Sequence, residues 1–100
     1  MSLALIFKPA ARFELDEAVA WYEEQRAGLG REFALEVFAV LARAQANPEL
    51  FGRVRGRARK IRLRRFSSYS IYFADKDGAF AVLAVFHGAR NPAELRRRLK

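Results

Sequence analysis

The sequence predicts an α+β fold: an N-terminal strand, an antiparallel helical hairpin packed on a mostly antiparallel sheet, and a short C-terminal helix. Three observations predict this class. Apolar residues recur at helical spacing through the first half, short strand-like runs lie before and after that region, and a turn signal joins the last two runs. The 100 residues are 52% hydrophobic and 13% aromatic, which is enough to fill one modest core. We therefore expect one domain that spans residues 1–100.

The first two elements are a strand and a helix. Residues 3–7 are short and apolar and end before Pro9, which is typical of a strand. Proline is well tolerated in the first turn of a helix, and Glu14, Asp16 and Glu17 lie near that end, where the helix dipole favours anions. One helical face then carries the apolar residues Ala11, Leu15, Ala18, Val19 and Tyr22.

A second helix follows the first after a short break. Gly28 and Gly30 interrupt the pattern, and Asn47-Pro48 ends the second helix because the residue before proline is pushed out of the helical region. The short connection predicts an antiparallel hairpin of the two helices. The apolar face of the second helix consists of Phe33, Val37, Val40, Leu41 and Ala44.

Three strands are predicted after the helices, over roughly 57–66, 69–74 and 80–87. Asp77-Gly78 indicates a hairpin between the last two strands, because glycine tolerates positive φ. The final run is apolar on both faces, which predicts a central strand that is covered on both sides.

A short basic helix is predicted at the C-terminal end of the chain. It follows Asn91-Pro92 and runs from Ala93 to Leu99, with Asn91 as its cap. Its cations Arg96, Arg97 and Arg98, together with Lys100, either clamp phosphate or fray at the surface.

The most informative feature is a dense basic run without any acid. It alternates with apolar residues such as Val54 and Ile61 and leads into the strand-like residues 69–73, so we expect the charge to be displayed on an ordered sheet. A folded protein accepts such self-repulsion where an anionic partner docks. The eight cations are Arg53, Arg55, Arg57, Arg59, Lys60, Arg62, Arg64 and Arg65.

The net charge of +8 is unevenly distributed. Residues 1–52 carry five basic and eight acidic groups, a net charge of −3, whereas residues 53–100 carry fourteen basic and three acidic groups, a net charge of +11. The surface that binds a partner is therefore predicted in the second half. Solubility alone would be served better by exposed charges of both signs.

The composition also argues against several classes of chemistry. There is no cysteine and one histidine, which excludes disulfides and argues against a transition-metal site built by the protein. No signal peptide or apolar run of membrane-spanning length is seen, so we expect a cytoplasmic protein without a membrane partner. No cofactor is predicted.

In this order, the elements and motifs resemble the RelE/ParE superfamily of toxin–antitoxin proteins across nearly the whole chain. Residues 7–11, 16–18 and 21–24 resemble the first helix of ParE-type proteins, the branch that includes plasmid-stabilisation proteins. Residues 47–49 resemble the break after their second helix. Three further runs resemble their last strands, and these are Arg64-Arg65-Phe66, Tyr69-Ser70-Ile71-Tyr72-Phe73 and Ala84-Val85-Phe86-His87-Gly88-Ala89-Arg90.

The resemblance implies a toxin of a type II pair that forms a hetero-oligomer with its cognate antitoxin. RelE-type members are ribosome-dependent mRNA endonucleases, which need side chains that activate a ribose 2′-OH, stabilise the phosphate and protonate the leaving oxygen. ParE-type members lack that set and instead bind and poison DNA gyrase.

The RelE-like catalytic pattern is only half kept. Arg90 resembles the arginine after the last strand, and His87 resembles the histidine of YoeB-like members. However, Ser70 stands where an arginine is expected, Gly88 follows the histidine where an aromatic is expected, and no tyrosine follows Tyr72. The residues that resemble the basic strand are Lys60, Arg62 and Arg64.

These departures favour the ParE branch and a toxin that inhibits gyrase by binding, with no catalytic residue assigned. The alternative is an endoribonuclease that uses Lys60, Arg62, Arg64, His87 and Arg90 on the ribosome. A third reading is a member that has kept antitoxin binding and lost toxicity.

The residues predicted to bind the target or the antitoxin combine the basic strand with two outlying positions. Trp21 falls outside the apolar stripe of its helix and either anchors an interface or packs beneath the C-terminal segment. His87 is read structurally as a strand-end residue bonded to backbone. The predicted binding residues are Trp21, Arg57, Arg59, Lys60, Arg62, Arg64, Arg65 and Arg90.

Overall fold

A computed structural model describes residues 4–76 and 78–99, with only the backbone of Lys76. It has the predicted α+β architecture, with two helices on one face of a five-stranded sheet of order β1-β5-β4-β3-β2. Strand β1 runs parallel to β5, and all other neighbours are antiparallel. The elements are β1 Ala4–Phe7, α1 Pro9–Gln25, α2 Leu29–Ala46, a 3₁₀ turn Pro48–Leu50, β2 Arg53–Arg55, β3 Ala58–Arg62, β4 Tyr69–Lys76, β5 Ala79–His87 and α3 Pro92–Arg98.

The main core lies between the helical hairpin and the sheet. The predicted face of α1 is confirmed, with Ala11, Leu15 and Ala18 buried and Val19 and Tyr22 packed at its margin. The α2 face is confirmed in full. Together with the sheet it buries Phe33, Val37, Val40, Leu41, Ala44, Ile61, Leu63, Phe66, Ile71, Phe73, Phe80, Val82 and Val85.

The helical hairpin is held closely together at its turn. Gly28 has a φ of +89°, and the Glu23 carboxylate accepts the backbone N–H groups of Gly28 at 2.8 Å and Gly30 at 3.0 Å. Gly30 also permits the close approach of the helices, because a Cβ there would lie 2.5 Å from the Val19 carbonyl oxygen.

The strand predicted over roughly 57–66 begins where expected, at Ala58, but it is wrong at its C-terminal end, and the strand before it was not predicted. Residues 53–55 form a separate strand that turns back at Gly56, whose φ is +56°, and β3 already ends at Arg62. A tight turn ends it, because Tyr69 donates its N–H to Phe66 O at 2.9 Å and the Arg62 guanidinium donates to Ser67 O at 3.0 Å.

The last strands and helix follow the prediction with one correction. The middle strand of the sheet is β4, whereas β5 lies between β4 and β1. Strand β5 is nevertheless covered on both faces, because a second cluster packs Phe86 and Ala84 against Leu99. The cap on α3 is confirmed, since Asn91 Oδ1 accepts the Ala93 N–H at 2.9 Å.

The hairpin between β4 and β5 is confirmed by their antiparallel pairing and by the φ of +77° at Gly78. Three positions named in the sequence predictions, residues 3, 77 and 100, lie outside the described residues. Among the helices of the described part, none has the length and hydropathy needed to cross a membrane.

Candidate functional site

A basic depression lies between α2 and β3 and is called the edge groove here. Its volume is about 660 Å³. Helix α2 supplies one wall, and β3 with the segment after it supplies the other. The lining residues are Glu36, Ala39, Val40, Arg43, Phe51, Lys60, Ile61, Arg62 and Arg64.

The groove exists because β2 covers only part of β3. The β2–β3 register ends at the pair Arg53–Arg59, and Lys60 donates its N–H to Gly52 O at 3.2 Å. Beyond Lys60, no described strand pairs with the outer side of β3. The open edge consists of Ile61 and Arg62, and a strand edge of this kind can pair with an added chain segment.

The edge groove combines apolar side chains with cations. Val40, Phe51 and Ile61 supply apolar surface, and the Arg43 guanidinium lies 5.9 Å from the centre of the Phe51 ring. The one carboxylate in the lining, Glu36, accepts the backbone N–H groups of Arg64 and Arg65 at 2.9 and 3.3 Å. The four cations therefore remain in excess, and they are Arg43, Lys60, Arg62 and Arg64.

Two other predicted residues, Arg57 and Arg59, line a different cavity of about 270 Å³ at the β2–β3 hairpin. Arg59 also donates from its guanidinium to Phe51 O at 2.6 Å, which ties β3 to the loop after α2. The residues of the basic run therefore divide between the edge groove and this hairpin cavity.

Arg65 contacts the helical hairpin. It forms an ion pair with Glu32, which also pairs with Arg26 at 3.4 Å, and its guanidinium lies 5.1 Å from the Phe66 ring centre. Hydrogen bonds from Arg65 and then Arg26 hold the pKa of Glu32 below its usual value. Because these groups are exposed, we regard the cluster as a weak tether that leaves Arg65 accessible.

Arg90 lies at a buried carboxylate, Glu14, which the sequence analysis read only as an acid near the N-terminal end of α1; the first turn of α1 in fact has no acid. Glu14 is 5% exposed and accepts hydrogen bonds from Arg98 at 2.7 and 3.1 Å and from Arg90 at 3.3 Å. Arg90 pairs at 3.3 Å with Glu94 as well. The available sequence signal was position, because Glu14 lies three residues after Ala11 and so flanks the buried stripe of α1.

The Glu14 carboxylate also accepts a hydrogen bond from the edge of β5. Pairing between β1 and β5 ends at Val82. Beyond it, Val85 donates its N–H to Glu14 at 3.0 Å, and Leu83 O accepts from Arg98 at 2.6 Å. Glu14 and Arg98 thus satisfy buried backbone groups that lack a strand neighbour, and they fix α3 to the sheet.

Trp21 is 55% exposed and lines an aromatic groove of about 490 Å³ with Tyr22, Ser68, Tyr69 and His87. Burial raises the pKa of both tyrosines. His87 Nδ1 accepts the Ala89 N–H at 3.0 Å, as the structural reading expected, so the proton of the neutral ring is on Nε2.

Among the residues of the RelE-like alternative, His87 is separated from Arg62, whereas the Arg90 guanidinium lies 5.6 Å from the centre of the Phe86 ring. Arg62 pairs with Ser70, which pairs with Phe86, so these side chains share one face of the sheet. His87 pairs with Tyr69 on the opposite face, since neighbouring residues of a strand alternate. Within residues 4–76 and 78–99, no three acidic, histidine or cysteine side chains are grouped to hold a metal ion.

The fold and the charged surface define a class of protein. The element order, the mixed sheet and the basic second half are those of a small toxin with the RelE/ParE fold. Residues 5–92 match the family model described as ParE toxin of type II toxin-antitoxin system, parDE, and the chain belongs to this family. It is accordingly a toxin whose partner is an antitoxin. No curated protein matches the chain significantly.

Proposed function

We propose that this toxin acts by binding DNA gyrase in the cytoplasm, and that an acidic segment of its antitoxin neutralises it by occupying the edge groove. The edge groove is the observation that carries the proposal. Its excess of arginine suits carboxylates, because a guanidinium donates two parallel hydrogen bonds to such a group.

The antitoxin segment is expected to be extended and amphipathic. Its backbone would pair with the open edge of β3 beyond Lys60, and alternate apolar side chains would contact Val40, Phe51 and Ile61. Carboxylates on the segment would then meet the cations on both walls. Backbone pairing supplies affinity in this arrangement, and the charged contacts supply register and specificity.

A double charge reversal tests the groove. R62E/R64E should lower antitoxin affinity by at least about tenfold, since both cations become repulsive. The matched control is R12E/R31E, which makes the same charge change near the N-termini of α1 and α2, where the helix dipole tolerates acids. Titration calorimetry with the cognate antitoxin measures both variants, and equal losses in both would exclude the edge groove as the binding site.

Binding to gyrase, without bond cleavage, is supported by the family and by the positions of Arg90 and His87. Arg90 is engaged by Glu14 and Glu94, and His87 lies on the other face of the sheet from Arg62. General acid–base catalysis requires its groups within reach of one phosphate.

Purified toxin incubated with gyrase and supercoiled plasmid should stabilise cleavage complexes or block supercoiling. The parallel assay follows mRNA in translating ribosomes. Cut mRNA together with unaffected gyrase would favour the endonuclease, and no effect in either assay beside intact antitoxin binding would indicate a toxin that has lost its activity.

A further inference from the structure

The β2–β3 hairpin carries a concentration of cations that the edge groove does not use. Arg53, Arg55, Arg57 and Arg59 occupy every second position of the hairpin, and the chain has no aspartate or glutamate between Glu49 and Asp75. The ion pairs among the described residues include none of these four arginines.

The hairpin geometry brings like charges together. Arg53 pairs directly with Arg59 across the two strands, an arrangement that destabilises a sheet. A register shift follows, after which Arg55 pairs with Ala58. Because Ala58 packs in the cluster on the α3 side of the sheet, the shift places arginines on both faces of the hairpin.

A cavity of about 270 Å³ lies at the base of the hairpin. Three arginines, Arg53, Arg57 and Arg59, line it together with one acidic residue, Asp75. Asp75 forms no ion pair with any residue in the described part of the chain. The cavity walls therefore carry a positive charge that is only partly compensated.

We infer that the β2–β3 hairpin binds the sugar–phosphate backbone of nucleic acid, with one phosphate in the cavity at its base. A guanidinium fork matches phosphate oxygens, and two cationic faces suit a chain of successive anions. An acidic peptide would need apolar contacts as well. The exposed hairpin offers chiefly Val54 for these, 49% exposed, whereas the edge groove has an apolar floor.

This inference goes beyond the proposed function, because contact with nucleic acid through the hairpin does not require gyrase. The test accordingly uses the toxin alone with a short fluorescein-labelled DNA duplex, and it follows anisotropy over a series of salt concentrations. Affinity should fall steeply with salt, with a log–log slope of about −0.9 for each phosphate that the protein neutralises.

The decisive comparison uses two variants with equal loss of charge. R53Q/R57Q should weaken DNA binding at least about tenfold and make the salt slope shallower by about 1.8. R12Q/R31Q removes two cations from the helices and should change affinity less than about twofold. Equal effects of the two variants would overturn the inference, because binding would then follow net charge alone.

A variant that removes a negative charge, instead of a positive one, tests the cavity itself. D75N removes the carboxylate that repels a phosphate, and affinity should rise by about two- to fivefold. An unchanged or weakened affinity for DNA would show that no phosphate binds in the cavity. Thermal unfolding of each variant checks that the fold is retained.

Two further probes identify the source of the anion. A duplex RNA of the same sequence that binds equally well, or less well, supports recognition of the backbone in either case. Polyglutamate that binds with the same sensitivity to R53Q/R57Q, while neither nucleic acid binds, would overturn the inference in favour of an acidic protein.

Discussion

Glu14 holds the C-terminal helix against the rest of the toxin. One buried carboxylate accepts hydrogen bonds from Arg90, Arg98 and the Val85 N–H, and it connects α1, β5 and α3. Removing one member of such a set leaves buried charge without compensation, which costs more than the intact arrangement contributes.

E14Q should lower the free energy of unfolding by about 2–4 kcal/mol, because the amide keeps the shape but loses the charge that compensates Arg98. Urea unfolding measures the change. D16N is the matched control on the same helix, since Asp16 pairs with Arg12 at 3.1 Å and the two side chains are 60% and 63% exposed. It should cost no more than about 0.5 kcal/mol. Similar losses in both variants would contradict the structural role of Glu14.

Residue identity alone could not distinguish the cations that are available for binding from those that stabilise the fold. Arg90 and Arg98 look like surface charges in the sequence, but both are engaged by a carboxylate 76 and 84 positions away. Arg43 was missed for the same reason, because an isolated arginine on a helix becomes part of a site only when β3 lies beside it. The exposure of Trp21 could be predicted more easily, since its position in the helical repeat of α1 lies outside the buried stripe.

At the scale of elements, the contact between the two helices depends on Gly30. Alanine usually stabilises a helix relative to glycine by about 0.5–1 kcal/mol. In this hairpin, a Cβ would lie 2.5 Å from Val19 O and 3.0 Å from the Glu23 carboxylate, so the helices must separate to admit it.

G30A is therefore expected to destabilise the protein by about 1–3 kcal/mol, against the ordinary trend. G52A serves as the control, because no atom lies within 4 Å of the Cβ position there. Its effect should stay within about 0.5 kcal/mol. Thermal unfolding of both variants decides the point, and a stabilised G30A would show that the helix contact adjusts freely.

Helices could be predicted closely from the sequence, but the basic strands could not. The apolar faces of α1 and α2 repeat over many residues, and their ends carry proline and glycine signals. In residues 53–65 the alternation of arginine with small or apolar residues continues through two turns, so periodicity alone does not reveal where β2 and β3 end. The turn after Arg62 depends on hydrogen bonds to Ser67 and Phe66 that have no local signature.

At the scale of the whole molecule, charge separates the toxin into two regions. Residues 1–52 have a net charge of −3 and residues 53–100 a net charge of +11. The predicted binding of anions therefore has a cost in the free protein, because Arg53 and Arg59 face each other and neither is in an ion pair among the described residues.

R53Q should make the free toxin more stable at low salt by about 0.2–1 kcal/mol, since it removes one of two opposed charges. The gain should shrink as salt screens the repulsion of the wild-type pair. Urea unfolding at two salt concentrations measures this. A gain that is independent of salt would mean that the repulsion between Arg53 and Arg59 is not its source.

The open edge of β3 also affects how the free toxin behaves in the absence of a partner. Two copies of this edge could pair and join two molecules into a dimer, but each edge presents Lys60 and Arg62 to the other. Mutual repulsion then acts as a gatekeeper against self-association. Neutral substitutions at these positions are therefore expected to promote dimerisation of the unbound toxin, in addition to weakening its capture by the antitoxin.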